Sequence, residues 1–205
     1  TVDNGPCANP VTTDQVSITL YDQNNPLANA GPDQSLCTPL TSAVLAGSNL
    51  FDPAVGTWTV VSGTGTFVNA GDPNTTVNGL SVGENVFAWT VFNGPCVNPL
   101  TVDQVSIFLF DSENPTPDAG ADQNLCSVTT TTLQGSALIP PATGLWELLQ
   151  GTGTITDPSD PNSTVTGLSV GVNQFSWQVF NGPCATGSGS DIVTVNVFDT
   201  GALAA

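Results

Sequence analysis

Short runs in which apolar and polar residues alternate occur along most of this chain, and clusters of Gly, Pro, Asn and Asp separate them. The run Phe87–Val91 places Phe, Trp and Val at every second position, and the run Phe175–Val179 repeats the pattern. Such alternation is typical of strands with one buried and one solvent-exposed face. No helical period extends beyond two turns, so the pattern predicts an all-β chain.

The same strings recur along the chain at a fixed spacing. Asn-Gly-Pro-Cys begins at Asn4, Asn93 and Asn181, which are 89 and 88 residues apart, and residues 56–96 align without a gap on residues 144–184. A period of about 88 residues predicts tandem domains of one fold. Because six or seven short strands in each repeat fit a β-sandwich, we predict tandem immunoglobulin-like sandwiches that form a rod.

The phase of the repeat sets the predicted domain boundaries. The first residues match only the end of a repeat and the last ones would begin another, so we expect a window cut from a longer array. The predicted domains are residues 1–22, the C-terminal strands of a preceding repeat; residues 26–111 and 115–199, two complete repeats; and residues 200–205, the start of a following repeat. In the first complete repeat, the predicted strands are Gln34–Leu36, Ala43–Ala46, Gly56–Val61, Thr75–Leu80, Asn85–Phe92 and Gln104–Phe110.

The composition removes several classes of function. The 205 residues include no Lys, Arg or His and 17 acidic residues, which gives a formal net charge of -17. Nucleic-acid binding relies on Lys and Arg that neutralise phosphates, so we expect no nucleic-acid partner. No apolar run is long enough to cross a bilayer, so we expect no direct membrane insertion. Without His or Lys as a general base, we also predict that the chain is not an enzyme.

The large aromatic residues lie at corresponding positions of the two complete repeats. Their apolar flanks and their same-face partners favour core packing over a platform for stacking sugars. The predicted core aromatic residues are Trp58, Trp89, Trp146, Trp177, Phe87 and Phe175.

Several motifs resemble one family of surface proteins. Asn29-Ala-Gly-Pro-Asp-Gln-Ser-Leu, followed by Val44-Leu-Ala-Gly-Ser, resembles the opening of PKD domains. Gly63-Thr-Gly-Thr-Phe, Asp72-Pro-Asn-Thr-Thr-Val and Trp89-Thr-Val-Phe-Asn-Gly-Pro-Cys resemble the PKD-like repeats of large Bacteroidota cell-surface and gliding-motility adhesins. The resemblance implies a seven-stranded sandwich and an extracellular, cell-surface location. It also implies a stalk or adhesive filament, and it carries over no catalytic residues.

The expected function is therefore that of a structural stalk repeat in a long extracellular adhesin or surface filament. Its partners would be neighbouring repeats of the same chain and other copies in a filament. Two alternatives stay open: a PKD-like accessory or carbohydrate-binding module of a secreted hydrolase, and a laterally self-assembling surface fibre. An exposed aromatic row would favour the first alternative, and contacts between chains would favour the second.

The five cysteines occupy two positions in the repeat. Cys37 and Cys126 follow the first strand, whereas Cys7, Cys96 and Cys184 follow the strand that contains the second Trp. Recurrent placement in an exported protein favours disulfides over free thiols. Metal binding has little support, because no Cys-x-x-Cys occurs and His is missing.

Two disulfide pairings fit this placement. Pairing within a repeat would join Cys37 to Cys96 and Cys126 to Cys184. In an immunoglobulin-like topology these two positions lie at opposite poles, about 26 Å apart for an eight-residue strand, whereas a disulfide needs Cα atoms within about 7 Å. Pairing between successive repeats, Cys37 with Cys184, is therefore favoured, with Cys7 and Cys126 pairing outside the window. The intradomain pairing and free thiols stay open.

Acidic residues are concentrated near the predicted junctions between repeats. Calcium takes six to eight oxygen ligands, so such a cluster could hold this ion as a cofactor. The alternative is a set of solvated turns in which Asp is a turn former. The candidate calcium ligands are Asp22, Asp33, Asp111, Glu113, Asp118 and Asp122.

Overall fold

The structure of the chain is a computed structural model, which describes residues 1–3, 5–6, 11–114, 116–199 and 201. Its regular elements in these ranges are short β-strands joined by turns. They are β1 (Val2–Asp3), β2 (Val11–Thr12), β3 (Gln34–Cys37), β4 (Ser42–Val44), β5 (Val55–Ser62), β6 (Thr66–Phe67), β7 (Thr76–Asn78), β8 (Gly83–Phe92), β9 (Leu100–Phe110), β10 (Gln123–Cys126), β11 (Thr130–Thr132), β12 (Thr143–Gln150), β13 (Thr154–Ile155), β14 (Thr164–Thr166), β15 (Gly171–Phe180) and β16 (Gly189–Phe198).

Strands β3 to β9 form the first sandwich. One sheet has the order β3-β9-β8-β5 and the other the order β4-β7-β6. Neighbours in both sheets are antiparallel, except that β3 runs parallel to β9. Seven strands divided in this way between two sheets are the immunoglobulin-like arrangement. Strands β10 to β16 form the second sandwich with the corresponding orders β10-β16-β15-β12 and β11-β14-β13, so the prediction of tandem sandwiches of this all-β class is confirmed.

The observed strands differ from the predicted ones mainly at their ends. Strand β9 begins at Leu100, four residues before the predicted start at Gln104, because Leu100 already pairs with Phe92 of β8. Strand β6 has only two residues and was missed, since so short a segment shows no alternation. The predicted domain boundaries stay predictions, although β3–β9 lie within residues 26–111 and β10–β16 within residues 115–199.

The interior of each sandwich is built around two tryptophans. In the first sandwich Trp58 of β5 and Trp89 of β8 are directly paired across the sheet, with ring centroids 5.0 Å apart. Both indole nitrogens of this sandwich have polar partners: Nε1 of Trp58 donates to the Asp72 carbonyl, and Nε1 of Trp89 donates to the Ser48 hydroxyl. All six predicted core aromatics are buried, with at most 2% of each side chain exposed: Trp58, Trp89, Trp146, Trp177, Phe87 and Phe175.

A glycine beside each tryptophan pair sets how closely the strands approach. A Cβ at Gly56 would lie 2.0 Å from Cζ2 of Trp89, and one at Gly144 would lie 2.2 Å from Cζ2 of Trp177. Only glycine fits where a ring lies directly over the backbone of the neighbouring strand.

The N-terminal residues form a short hairpin ahead of the first sandwich. Val2 of β1 pairs with Thr12 of β2, and Asp3 pairs with Val11. Residues 13–20 belong to no strand. The expectation for residues 200–205 falls almost entirely outside the described residues.

Candidate functional site: the junction between the two sandwiches

The two sandwiches meet at a short linker that begins where β9 ends. The Asn114 backbone amide donates to the Asp111 carbonyl, and one carboxylate oxygen of Asp111 accepts a hydrogen bond from the Glu113 amide. A linker folded into so tight a turn leaves little freedom between the sandwiches, in contrast to a flexible Gly/Ser linker.

A disulfide joins the two sandwiches across this linker. Cys37, the last residue of β3, is bonded to Cys184 in the loop after β15; the Cα atoms are 5.2 Å apart and the two residues are 147 positions apart in sequence. The bond therefore links the end of the first strand of one sandwich to the loop after the sixth strand of the next.

The intradomain pairing, Cys37 with Cys96 and Cys126 with Cys184, is not the one in the structure. The reason is the length of β9: Cys37 pairs with Phe110 at one end of this strand, whereas Cys96 follows Phe92, which pairs with Leu100 at the other end. Ten residue steps along β9 separate these ends by about 33 Å. Cys96 and Cys126 carry free thiols, and Cys7 lies outside the described residues, so the partners expected for Cys7 and Cys126 beyond this chain stay predictions.

Two buried asparagines hold the linker against the second sandwich. The side-chain amide of Asn114 donates to Oδ1 of Asn181 at 3.0 Å and to the Ile139 carbonyl at 3.1 Å. Nδ2 of Asn181 donates to the carbonyls of Asp111 and Thr186, at 2.9 and 3.0 Å. Because both side chains are almost fully buried, these hydrogen bonds fix the position of the linker.

Aromatic rings pack directly beneath the linker. The rings of Phe110 and Phe180 meet edge to face, with centroids 6.4 Å apart. Gly182 has φ +53°, and a Cβ there would lie 2.5 Å from the Phe110 ring. This contact therefore explains the second residue of the recurrent Asn-Gly-Pro-Cys string: Gly provides both the left-handed backbone conformation and the room for the ring.

Hydroxyl groups complete the junction. The Ser112 amide donates to Oγ1 of Thr38, next to the bonded Cys37, and the hydroxyl of Thr186 donates to the Ser112 carbonyl at 2.7 Å. Residues from both sandwiches thus contact the same linker residue.

The same arrangement recurs where residues 21–25 enter the first sandwich. Nδ2 of Asn25 donates to Oδ1 of Asn93 at 3.2 Å, and Nδ2 of Asn93 donates to the Asp22 carbonyl at 2.9 Å. The rings of Tyr21 and Phe92 meet edge to face at 6.5 Å. Within the described ranges there are thus two copies of one junction, of which the second has a disulfide.

The predicted calcium ligands do not come together. Among the described residues, no group of three or more acidic or cysteine side chains is placed to hold a metal ion. The carboxylates instead accept hydrogen bonds from backbone amides: thirteen aspartates do so, as Asp33 does from Ser106 and Asp122 does from Thr194. Five of the six predicted ligands are used in this way: Asp22, Asp33, Asp111, Asp118 and Asp122.

One carboxyl group has a shifted acidity. The hydroxyl and the backbone amide of Ser159 donate to the carboxylate of Asp157, at 2.7 and 2.9 Å, which lowers the pKa of Asp157 from its ordinary value. Hydrogen bonds to the charged form favour that form even at an exposed position.

Sequence reasoning did not identify the buried asparagines as junction residues. Asn25, Asn93, Asn114 and Asn181 lie in segments rich in turn formers, where Asn is expected for its backbone preferences alone. The recurrence of Asn93 and Asn181 within Asn-Gly-Pro-Cys was the available signal, since the same string contains the cysteine of the junction. Within the described ranges, no helix is long and apolar enough to span a membrane.

Comparison with known proteins finds similar structures but no family. No family model matches the chain, and no curated protein matches it. The PKD domain from KIAA 1837 protein is 27% identical over 51% of this chain and 98% of that one, with a TM-score of 0.37. The PKD domain of human KIAA0319 is 17% identical over 46% of this chain and 88% of that one, with a TM-score of 0.37. Sidekick-1 immunoglobulin domains 1-5 are 10% identical over 84% of this chain and 39% of that one, with a TM-score of 0.46. The fold assignment rests on the strand order itself.

Proposed function

We propose that this chain is a structural stalk segment of a long extracellular adhesin or surface filament. The observation that carries the proposal is the junction: two sandwiches held end to end by the Cys37–Cys184 bond and by the buried Asn114–Asn181 pair. A linker held by a covalent bond and buried hydrogen bonds keeps its neighbours in one relative orientation, as a spacer requires. The resemblance to repeats of Bacteroidota gliding-motility adhesins supports attachment or surface movement as the setting.

An extracellular location is part of this proposal. Disulfides persist in oxidising compartments such as the cell exterior. A chain without Lys or Arg also offers no cleavage site to trypsin-like proteases, and its uniform negative charge opposes association with similar surfaces. Both properties suit a stalk that projects into the surroundings.

The test is the rigidity of the junction. Dyes attached through azido amino acids at Val68 and Val170, which are exposed positions of the two sandwiches, would report their separation in single molecules. We expect one narrow distance distribution for the oxidised chain and a broader one for Cys37→Ser. The matched control is Cys126→Ser, which removes an exposed free thiol and should leave the distribution narrow. A broad distribution in the oxidised parent chain would contradict a role as a spacer.

One observation favours the accessory binding module as a second candidate. A shallow groove of about 470 Å³ on the outer face of the second sandwich is lined by Leu145, Gln178, Phe180 and Ser190, and 62% of Phe180 is exposed. An exposed aromatic beside polar side chains is the arrangement that stacks on sugars. A glycan-binding screen of the chain and of Phe180→Ala tests this: binding lost in the variant would support the module, and no binding by the parent would remove it.

A further inference from the structure

Residues 13–20 have an apolar face that is exposed, whereas the corresponding residues of the two complete sandwiches are buried. Val16, Ile18 and Leu20 are 85%, 88% and 87% exposed. Their counterparts 89 residues later, in β9, and the corresponding residues of β16 are at most 2% exposed. These residues are Val105, Ile107 and Leu109, and Val193, Val195 and Val197. Three alternating apolar side chains in solvent are typical of a strand that lacks its sheet.

The N-terminal hairpin keeps the register of a complete sandwich. Val2 pairs with Thr12 as Val91 pairs with Thr101, and Asp3 pairs with Val11 as Phe92 pairs with Leu100. Residues 1–3 and 11–12 therefore reproduce the point where β8 and β9 meet. The segment that follows has the sequence of β9, from Asp14-Gln-Val-Ser-Ile, which repeats Asp103-Gln-Val-Ser-Ile.

Asp14 also lacks the contact that its counterparts make. The carboxylate of Asp103 accepts a hydrogen bond from the Ala30 amide, and the carboxylate of Asp191 accepts one from the Ala119 amide. Ala30 and Ala119 lie four residues before the first strand of their sandwiches, β3 and β10. Asp14 instead contacts the amide of its neighbour Gln15. The group that would complete this interaction is the beginning of a first strand in another sandwich.

Cys96 occupies the position of Cys184 in a junction that is otherwise assembled. Its thiol donates to the Tyr21 carbonyl at 3.7 Å, and the surrounding pairs Asn25–Asn93 and Tyr21–Phe92 reproduce the second junction. The second junction also has a cysteine that ends a first strand, Cys37, and a hydroxyl contact to the Thr38 that follows it, and both belong to the sandwich before the linker.

We infer that residues 12–22 are the last strand of a further sandwich of this same fold, and that Cys96 forms a disulfide with the cysteine ending that sandwich's first strand. The strand lies antiparallel to the counterpart of β8 and parallel to the counterpart of β3, as β9 does. The same sandwich would pair with the exposed strand and supply the cysteine for Cys96, because β3 and β9 are neighbouring strands that both end at the junction. The inference rests on the proposed stalk function and adds that a sandwich of the same fold is attached at residues 12–22.

The covalent step is a thiol–disulfide exchange. The thiolate of one cysteine attacks a low-molecular-weight disulfide, which releases one thiol and leaves a mixed disulfide. The thiolate of the second cysteine then attacks the first cysteine's own sulfur in this mixed disulfide, which forms the protein disulfide and releases the second low-molecular-weight thiol. The two cysteines together lose two protons and two electrons, and the disulfide oxidant is reduced to two thiols.

The test is a longer chain in which a copy of residues 23–99 replaces residues 1–10 and is joined directly to Val11. Residues 11–22 can then complete the added sandwich, as residues 100–111 complete the first one. After oxidation with glutathione disulfide, we expect Asp/Glu-directed digestion without reductant to yield a peptide linking the added copy of Cys37 to Cys96. Amides of residues 16–20 should change from rapid to slow hydrogen exchange. The original Cys37–Cys184 peptide in the same digest reports that the rest of the chain has folded.

The variant Ile18→Asp distinguishes the inferred strand from an accidental contact. In the 205-residue chain, Ile18 is 88% exposed and the change should leave the melting temperature unaltered. In the longer chain, it should lower the melting temperature of the added sandwich, because the counterpart Ile107 is fully buried.

Rapid exchange at residues 16–20 together with a free Cys96 thiol in the longer chain would overturn the inference. A second longer chain, with residues 100–111 in place of residues 11–22, shows what a completed sandwich gives in the same assays. Neither result bears on the distance distribution across the second junction, so the proposed spacer role can fail or hold separately.

Discussion

Asn114 and Asn181, 67 residues apart in sequence, are joined by a side-chain hydrogen bond of 3.0 Å in the buried junction. Asn181 is fully buried, and its Nδ2 also donates to two backbone carbonyls. Each of its polar atoms therefore has a defined partner, so the pair holds the linker in place more specifically than apolar packing would.

We expect Asn181→Asp to destabilise the chain by about 3 kcal/mol or more, because it places a carboxylate oxygen against two carbonyl oxygens in a buried site. Thermal unfolding followed by circular dichroism would measure the loss. The matched control is Asn124→Asp, which adds the same charge at an exposed position and keeps the oxygen that accepts a hydrogen bond from Asn196. Equal melting temperatures for the two variants would contradict the structural role of Asn181.

The interdomain disulfide gives a second prediction. Cys37→Ser should lower the melting temperature, since the bond closes a loop of 147 residues and would contribute up to about 5 kcal/mol by restricting the unfolded chain. Cys184→Ser should have the same effect, and Cys126→Ser should have none. A Cys37→Ser chain that melts with the parent under non-reducing conditions would show that the bond does not form.

The close contact between Gly56 and the Trp89 ring gives a third prediction. Gly56→Ala should cost about 3 kcal/mol, because the new Cβ would lie 2.0 Å from the Trp89 ring in the core. Gly71→Ala is the matched control, since the nearest atom to a Cβ there is 3.6 Å away and the backbone is not left-handed. Denaturant unfolding of the two variants measures the difference, and a tolerated Gly56→Ala would show that the strands are less closely packed.

The lowered pKa of Asp157 gives a fourth prediction. Its pKa is lowered first by the Ser159 hydroxyl, so Ser159→Ala should raise the pKa of Asp157 back towards its ordinary value. Because the folded pKa is depressed, the stabilisation is fully present above the ordinary pKa near 3.8 and is lost as the pH falls through the lowered value. Carboxyl chemical shifts followed by NMR during a titration would measure both chains. Ser190→Ala is the control, and an unchanged Asp157 titration in Ser159→Ala would exclude the hydroxyl as the cause.

Much of the fold follows from short-range pattern. The alternation Phe87, Trp89, Val91 predicts a strand and its buried face, and the structure buries all three residues. The recurrence of Asn-Gly-Pro-Cys predicts tandem sandwiches. Strand β6 escaped this reasoning because two residues show no period, and its place is set by pairing with β7.

The junction was harder to predict than the fold. The separation of Cys37 from Cys96 follows from the length of the strand between them, so this part of the junction can be predicted from the positions of the cysteines in the repeat. The burial of Asn114 depends on Ile139 and Asn181, both distant in sequence, so no local pattern indicates it. Acidity near the linker suggested a calcium site, yet in a chain without Lys or Arg the carboxylates accept hydrogen bonds from backbone amides and from side-chain hydroxyl and amide groups.

The Cys37–Cys184 bond changes how the chain transmits tension. When the two ends are pulled apart, the shortest covalent path runs from Thr1 to Cys37, across the sulfur atoms, and on from Cys184. Residues 38–183, which include most of both sandwiches, lie outside that path. Their unfolding adds no length to the oxidised chain, whereas reduction would release roughly 500 Å of extended polypeptide. The bond therefore makes the oxidised segment nearly inextensible even if a sandwich unfolds.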